Sequence, residues 1–257
     1  MRFLFFLMLF FIPFCMLAQV NAERYRKEYD QLGFSITNTT GFDFSSGNTE
    51  ELEFSEALRL DWNNPIQDYY AILQYDFKTV SKAKTKDKGF FHFRTIRDLK
   101  NYYMMTELFT QLEMDRFLNL RSRFLLGGGF RMDLVALFAS VDTTRHNVKL
   151  FAGIGIMYEN EAYSYVQDIY ISHFRSTNYL SMVMSLSENV DFTVVNYYQP
   201  ALEDFNDYRF ITDIKLRFRL ISQLSVQFST SYKHRNVVVD DTFKDDLEIK
   251  TAIVIKL

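Results

Sequence analysis

Residues 208–218 read YRFITDIKLRF and alternate without a break. Tyr208, Phe210, Thr212, Ile214, Leu216 and Phe218 fall on one face. Arg209, Ile211, Asp213, Lys215, Arg217 and then Arg219 fall on the other. Successive side chains of a strand point to opposite faces, so this stretch predicts a β-strand with one greasy and one ionic face. The next segment repeats it: Leu224, Val226, Phe228, Thr230 and Tyr232 against Ser225, Gln227, Ser229, Ser231 and Lys233. So does the last: Leu247, Ile249, Thr251, Ile253, Ile255 and Leu257 against Glu248, Lys250, Ala252, Val254 and Lys256.

Working back through the chain gives about twelve such segments, near 32–44, 50–62, 68–78, 89–98, 101–112, 120–135, 148–159, 171–186, 191–199, 207–219, 224–235 and 246–257. Most reach the roughly 9–11 residues that a tilted strand needs to cross a bilayer. Soluble strands average about five to six. An even strand number suits a bacterial single-chain barrel. Pro65 and Pro200 fall between segments, as sheet interiors require. The predicted fold is therefore all-β: one antiparallel up-and-down transmembrane barrel, with no linker or repeat dividing it.

Two features extend this reading. Arg2 followed by the apolar run Phe3–Leu17 resembles a signal peptide, with cleavage after 18 or 22 and the barrel domain over 23–257. Cleavage would remove Cys15, the only cysteine, and Arg2, taking the net charge from −3 to −4. Such a chain has no thiol chemistry and no global basic field for nucleic acid. With termini in the periplasm, loops after odd strands face outward and run longer. Thr79–Lys88, Glu113–Asn119, Asn160–Tyr170 and Asn236–Asp245 obey this; Ser45–Thr49 is short and Ala136–Asn147 is long for its side. A periplasmic sandwich or lipocalin-like barrel would also alternate. Strand length, even count and the aromatics Trp62, Tyr69, Tyr158, Tyr208 and Tyr232 near strand ends favour the membrane.

The glycine-rich hairpin gives a register. Gly127 and Gly129 share a face with Arg123 and Arg131; Gly153 and Gly155 share one with Lys149 and Glu159. We expect Gly127 opposite Gly155, Gly129 opposite Gly153 and Asp133 opposite Lys149, all inward. Inward glycines would let the wall bend or leave room for long basic side chains.

Ser46-Gly47-Asn48-Thr49, Glu107 ahead of Asp115-Arg116-Phe117, Leu120-Arg121, Gly127-Gly128-Gly129, Tyr197-Tyr198-Gln199-Pro200, Asp207-Tyr208-Arg209 and Asp245-Asp246 occur in this order. Together they resemble the domain of unknown function 481 family, often described as salt-induced outer membrane proteins, over nearly the whole mature chain. The resemblance implies an outer-membrane barrel and supplies no catalytic residue. Outer-membrane strands commonly end in an aromatic residue, whereas this chain ends in Leu257.

The candidate lumen-lining set is Arg59, Arg94, Glu107, Gln111, Arg121, Arg123, Arg131, Arg175, Arg209, Asp213, Lys215, Arg217, Arg219 and Lys233. It reads either as a salt-bridge lattice filling a small barrel or as a filter for small anionic solutes. His92, His146, His173 and His234 lack a nucleophile elbow and metal-ligand spacing, so a lipid-modifying enzyme ranks third and the expectation is no enzyme, cofactor or metal. Lys82, Lys84, Lys86 and Lys88 read as a solvated loop, with lipopolysaccharide binding as the functional alternative. The expected setting is the outer membrane of a Gram-negative cell. A monomer there would meet outer-membrane lipids, lipopolysaccharide and the assembly machinery, and no nucleic acid.

Overall fold

A computed structural model describes residues 32–45, 51–81, 83–99, 103–139, 148–164, 168–239 and 243–256. The signal-peptide reading, the Ser46–Thr49 motif, His146 and the terminal Leu257 lie outside them.

Twelve strands follow one another: β1 (Gly33–Ser45), β2 (Glu51–Asn63), β3 (Gln67–Val80), β4 (Ala83–Asp98), β5 (Met104–Asp115), β6 (Leu120–Asp133), β7 (Val148–Tyr163), β8 (Ile169–Ser187), β9 (Val190–Pro200), β10 (Tyr208–Arg219), β11 (Leu224–Arg235) and β12 (Asp245–Lys256). Each pairs antiparallel with its sequence neighbours, and β1 closes on β12, so the sheet is a closed barrel. Closure satisfies backbone groups that lipid could not solvate. The alternating sequence supplies the two faces. Phe34, Trp62, Leu108, Leu126, Phe130, Ile154, Ile156, Phe174 and Ile249 are exposed on the outside. Charged side chains are buried within.

Connections from even to odd strands lie at one end, called here the turn end, where β1 begins and β12 ends. The opposite end is the loop end. Aromatic rings gather at both. Trp62 stacks on Tyr69 with centroids 5.7 Å apart at the turn end. At the loop end Tyr158 meets Phe174 at 5.4 Å and Phe210 meets Tyr232 at 5.8 Å. The long connection after β6 holds a helix, α1 (Leu134–Ala139), whose start is capped by Asp133 accepting from the Ala136 N–H at 2.9 Å.

Three expectations change. The glycine hairpin keeps its faces but slips by two residues: Gly127 pairs with Met157, Gly129 with Gly155, Arg131 with Gly153 and Asp133 with Phe151. Period-two patterning specifies a face, and a shift of two preserves it, so the pattern alone could not choose. Second, Arg121 is not in the lumen. The β6–β7 register shifts between Leu120 and Ser122, and this bulge leaves Leu120 buried while Arg121 points outward at the rim. Third, the lysine-rich loop is mostly strand, because β3 reaches Val80 and β4 starts at Ala83. Lys84, Lys86 and Lys88 lie on β4, and Lys82 is outside the described residues.

Candidate functional site

The lumen has two unlike sectors. The first, between β3 and β10, is filled. Towards the loop end three arginines from three strands converge on two glutamates of β7. Arg123 Nε donates to Glu161 Oε1 at 2.5 Å and Arg123 Nη1 to Glu113 at 2.9 Å. Arg175 Nε reaches Glu159 at 2.6 Å and its Nη2 reaches Asp207 at 2.7 Å. Arg209 bonds to Glu159 and, at 2.9 Å, to Glu161. Lys88 joins at 3.2 Å from Glu113. Arg123 is fully buried, so each charge needs these partners to stay ionised away from water.

A second knot lies nearer the turn end. Glu107 accepts from Arg94 Nη1 at 3.3 Å, Arg131 Nη1 at 3.2 Å and Tyr179 Oη at 2.8 Å. Arg94 sits over Phe109 and Arg131 over Phe151, at 5.1 and 4.1 Å from the ring centroids. His92 is buried among Tyr70, Phe90 and Phe109, with Nδ1 3.2 Å from Gln111. Arg59 pairs with Asp61 at 2.5 Å and covers Tyr70.

The inward glycines admit rings rather than basic side chains. A Cβ on Gly153 would stand 2.0 Å from Tyr179 Cε1, and one on Gly127 would stand 2.5 Å from Phe109 Cζ. A Cβ on Gly129 would meet Ile154 O at 2.2 Å, which marks a close backbone approach between β6 and β7.

The second sector, β10 to β2, holds a cavity of about 370 Å³. Thr37, Thr39, Ser55, Ser225, Ser229 and Ser231 give it a hydroxyl lining, and it runs from Ser222 and Gln223 at the turn end up to Glu248 and Lys250. Around it the inward cations Arg59, Lys215, Arg217, Arg219, Lys250 and Lys256 outnumber the inward carboxylates Asp213 and Glu248. Towards the loop end a chain of ion pairs crosses above it. Lys86 bonds to Glu248 and, at 3.0 Å, to Glu53; Lys250 reaches Asp76 at 2.9 Å and Glu248 at 3.2 Å. Lys233 is half-buried on the inward face of β11, opposite Asp246 of β12.

The predicted lumen residues thus divide. Arg94, Glu107, Gln111, Arg123, Arg131, Arg175 and Arg209 belong to the filled sector. Arg59, Asp213, Lys215, Arg217 and Arg219 line the cavity. Arg121 instead meets Asp168 at 2.8 Å and Tyr170 at 2.7 Å on the outside. The carboxylates Glu113, Glu159, Glu161, Asp76 and Asp207 and the ring of Tyr179 are absent from the candidate lumen set, although Glu159 shares the face of Gly153 and Gly155. Their inward parity was the available signal. The histidines stay apart: His173 lies 3.5 Å from Asp207 and 3.6 Å from Glu203, and His234 lies 2.8 Å from Asp245.

A family model described as "Protein of unknown function, DUF481" matches residues 39–257. No curated protein matches the chain in sequence. Among solved structures, the COG4313 outer membrane channel from Pseudomonas putida F1 is similar at 8% identity and a TM-score of 0.52, over 93% of this chain and 100% of that one. The translocator domain of the autotransporter NalP from Neisseria meningitidis is similar at 10% identity and a TM-score of 0.50, over 88% of each chain. Identities this low carry the architecture, that of bacterial outer-membrane barrels, and no activity.

Proposed function

Because the chain belongs to the DUF481 family, whose matched segment is almost the whole barrel, we propose a role built from the lumen itself: a narrow, anion-favouring passage in the outer membrane. The observation that carries this reading is the one-sided lumen. A wide diffusion pore would leave most of its cross-section wet. Here one sector is packed with buried ion pairs and rings, and the other holds a cavity of about 370 Å³ with excess cationic charge. Small barrels fill with side chains, and what space is left takes the charge of its walls.

In this reading the turn end faces the periplasm, as is usual for barrels with both termini inside. The arginines of the filled sector are structural braces, since carboxylates already neutralise them. Lys215, Arg217 and Arg219 supply the attraction for anions. The Lys86–Glu248–Lys250–Asp76 chain closes the loop end and sets how readily the passage conducts. The same chain favours a second reading, a purely structural barrel with a dead-end vestibule.

Planar-bilayer recording of the purified, folded protein separates the two. Small anion-selective steps that become larger or more frequent in Lys86→Met support the passage. Silence in both proteins overturns it and leaves the structural reading.

A further inference from the structure

Among the described residues, backbone pairing closes the barrel over only part of its height. The β1–β12 ladder runs from Thr37↔Lys256 to Thr40↔Ile253 and stops. Both strands continue beyond that point. β1 stays paired to β2 as far as Ser45↔Glu51, and β12 stays paired to β11 as far as His234↔Asp245. In the loop-end half the two strands therefore lie side by side without a ladder. Phe42, Leu247 and Ile249 point outward there with exposures of 64, 62 and 73%, which places the seam in the apolar band. Unpaired strand edges in lipid are costly and are tolerated where backbone meets a polar cavity.

Such a cavity is directly behind this seam. Ser55, opposite Gly41 on β2, and Lys250 of β12 both line it. Past the ladder the strands still touch, a Cβ on Gly41 standing 3.3 Å from Thr251 O, and side chains carry the connection: Lys86 to Glu248 and Lys250 to Asp76 tie β12 to β4 and β3, skipping β1 and β2. Ion pairs can be exchanged for other charged partners, whereas a ladder would have to be unzipped. On the outer wall beside the paired part, Glu56 accepts from Asn38 and from Thr40 Oγ1 at 2.7 Å. That is a polar patch on an otherwise greasy face.

We propose that the loop-end half of the β1–β12 seam is a lateral port. Through it a phospholipid with an anionic headgroup places its phosphate in the cationic cavity while its acyl chains remain in the membrane. The phosphate takes a share of Lys250 and Lys86 from Glu248 and Asp76, and so loosens the ion pairs that hold the seam. The hydroxyl lining suits a hydrated headgroup and offers little to an acyl chain, because Ala252 and Val254 are among its few apolar members. The port shares the cavity with the proposed passage but does not require ion conduction.

The test uses p-benzoylphenylalanine in place of Ser229, inside the cavity, with the protein reconstituted in phosphatidylglycerol vesicles. In one version Phe42→Cys and Thr251→Cys are added, outward positions that the Thr40↔Ile253 register, carried on by two residues, would bring opposite each other. In a control, Asn38→Cys and Ile255→Cys form a disulfide within the existing ladder. We expect a phosphatidylglycerol photo-adduct in the parent and the control, lost when the 42–251 disulfide forms and restored on reduction. An adduct that persists in the locked barrel overturns the port, as does no adduct in a parent shown to be folded by its heat-shifted gel mobility. Labelling by soluble glycerol phosphate alone, insensitive to the lock, also overturns it while leaving an aqueous anion passage standing. A photo-adduct to a second copy of the chain would reassign the open edge to protein pairing.

Discussion

Lys250 Nζ of β12 stands 2.9 Å from Asp76 Oδ1 of β3, with two strands between them around the wall. Asp76 is buried, so removing this cation leaves a carboxylate away from water with the Gln74 amide at 2.7 Å and no direct ion pair among the described residues. Breaking a buried pair from one side costs roughly 3–5 kcal/mol. Lys250→Met is therefore expected to lower the urea midpoint of the folded barrel, read by gel mobility. Adding Asp76→Leu should recover most of the loss. A Lys250→Met barrel as stable as the parent would remove this pair from the account of closure.

Glu159 and Arg121 make a sharper comparison. Glu159 receives Arg123, Arg175 and Arg209 in a site without water access. Glu159→Gln keeps the shape and removes the charge that three guanidinium groups share, so it should cost several kcal/mol or prevent assembly, on the order of 3–5 kcal/mol. Arg121→Ala breaks an exposed pair and should cost about 0–1 kcal/mol. The same unfolding assay measures both. Equal effects would mean that the bulge at Leu120–Ser122 does not turn Arg121 outward.

Gly153 faces the ring of Tyr179, which is held by its bond to Glu107 and by Tyr197, 5.2 Å away. Gly153→Ala places a methyl where that ring already is, and overpacking of this kind costs roughly 1–3 kcal/mol. Shrinking the ring with Tyr179→Leu should make Gly153→Ala nearly neutral in the double variant, although Tyr179→Leu alone is destabilising. Additive losses would show that the methyl strains something other than the ring.

These cases also show how far the residues themselves disclose the barrel. Strand number and the inward face of most residues follow from period-two patterning, because one face meets lipid and the other does not. Arg123 and Arg209 were legible as inward for that reason. The strand ends do not follow from it, since β4 starts at Ala83 inside the lysine-rich segment. The hairpin register was not, since Gly127, Gly129, Gly153 and Gly155 satisfy the same faces after a shift of two. Arg121 was misplaced because a bulge reverses parity with no composition signal. Glu159 and Glu161 carried the correct parity, but only three-dimensional convergence shows that they neutralise the arginines. The ladder that stops at Thr40↔Ile253 is a property of strand geometry and leaves no mark in composition.

Acidity should loosen the β9–β10 loop. Glu203 Oε1 accepts from the Phe174 backbone N–H at 3.0 Å, and that bond holds its carboxyl below the ordinary carboxylate range, with His173 nearby adding to the effect. A carboxyl depressed by folding contributes above its unfolded value and loses the contribution as pH falls through the folded one. Protease nicking of the loop at 201–207 should therefore rise as pH drops below the usual carboxylate range, and Glu203→Ala should nick readily at neutral pH as well. Equal protection of the parent at both pH values would remove Glu203 as the anchor.

Selectivity tests the cationic wall directly. Lys215 and Arg217 point into the cavity from β10, and Arg217 Nη2 donates to Gln227 at 3.1 Å. Their positive potential falls on a narrow, low-dielectric passage, where wall charge weighs more than in open water. Lys215→Glu with Arg217→Glu should reverse the sign of the potential that balances current across a salt gradient. Arg121→Glu, on the outside of the same barrel, should leave it unchanged. Raising the salt concentration should weaken both selectivities as the Debye length shrinks. If charge reversal at 215 and 217 leaves the sign untouched, current crosses elsewhere and the cavity is not the conducting route.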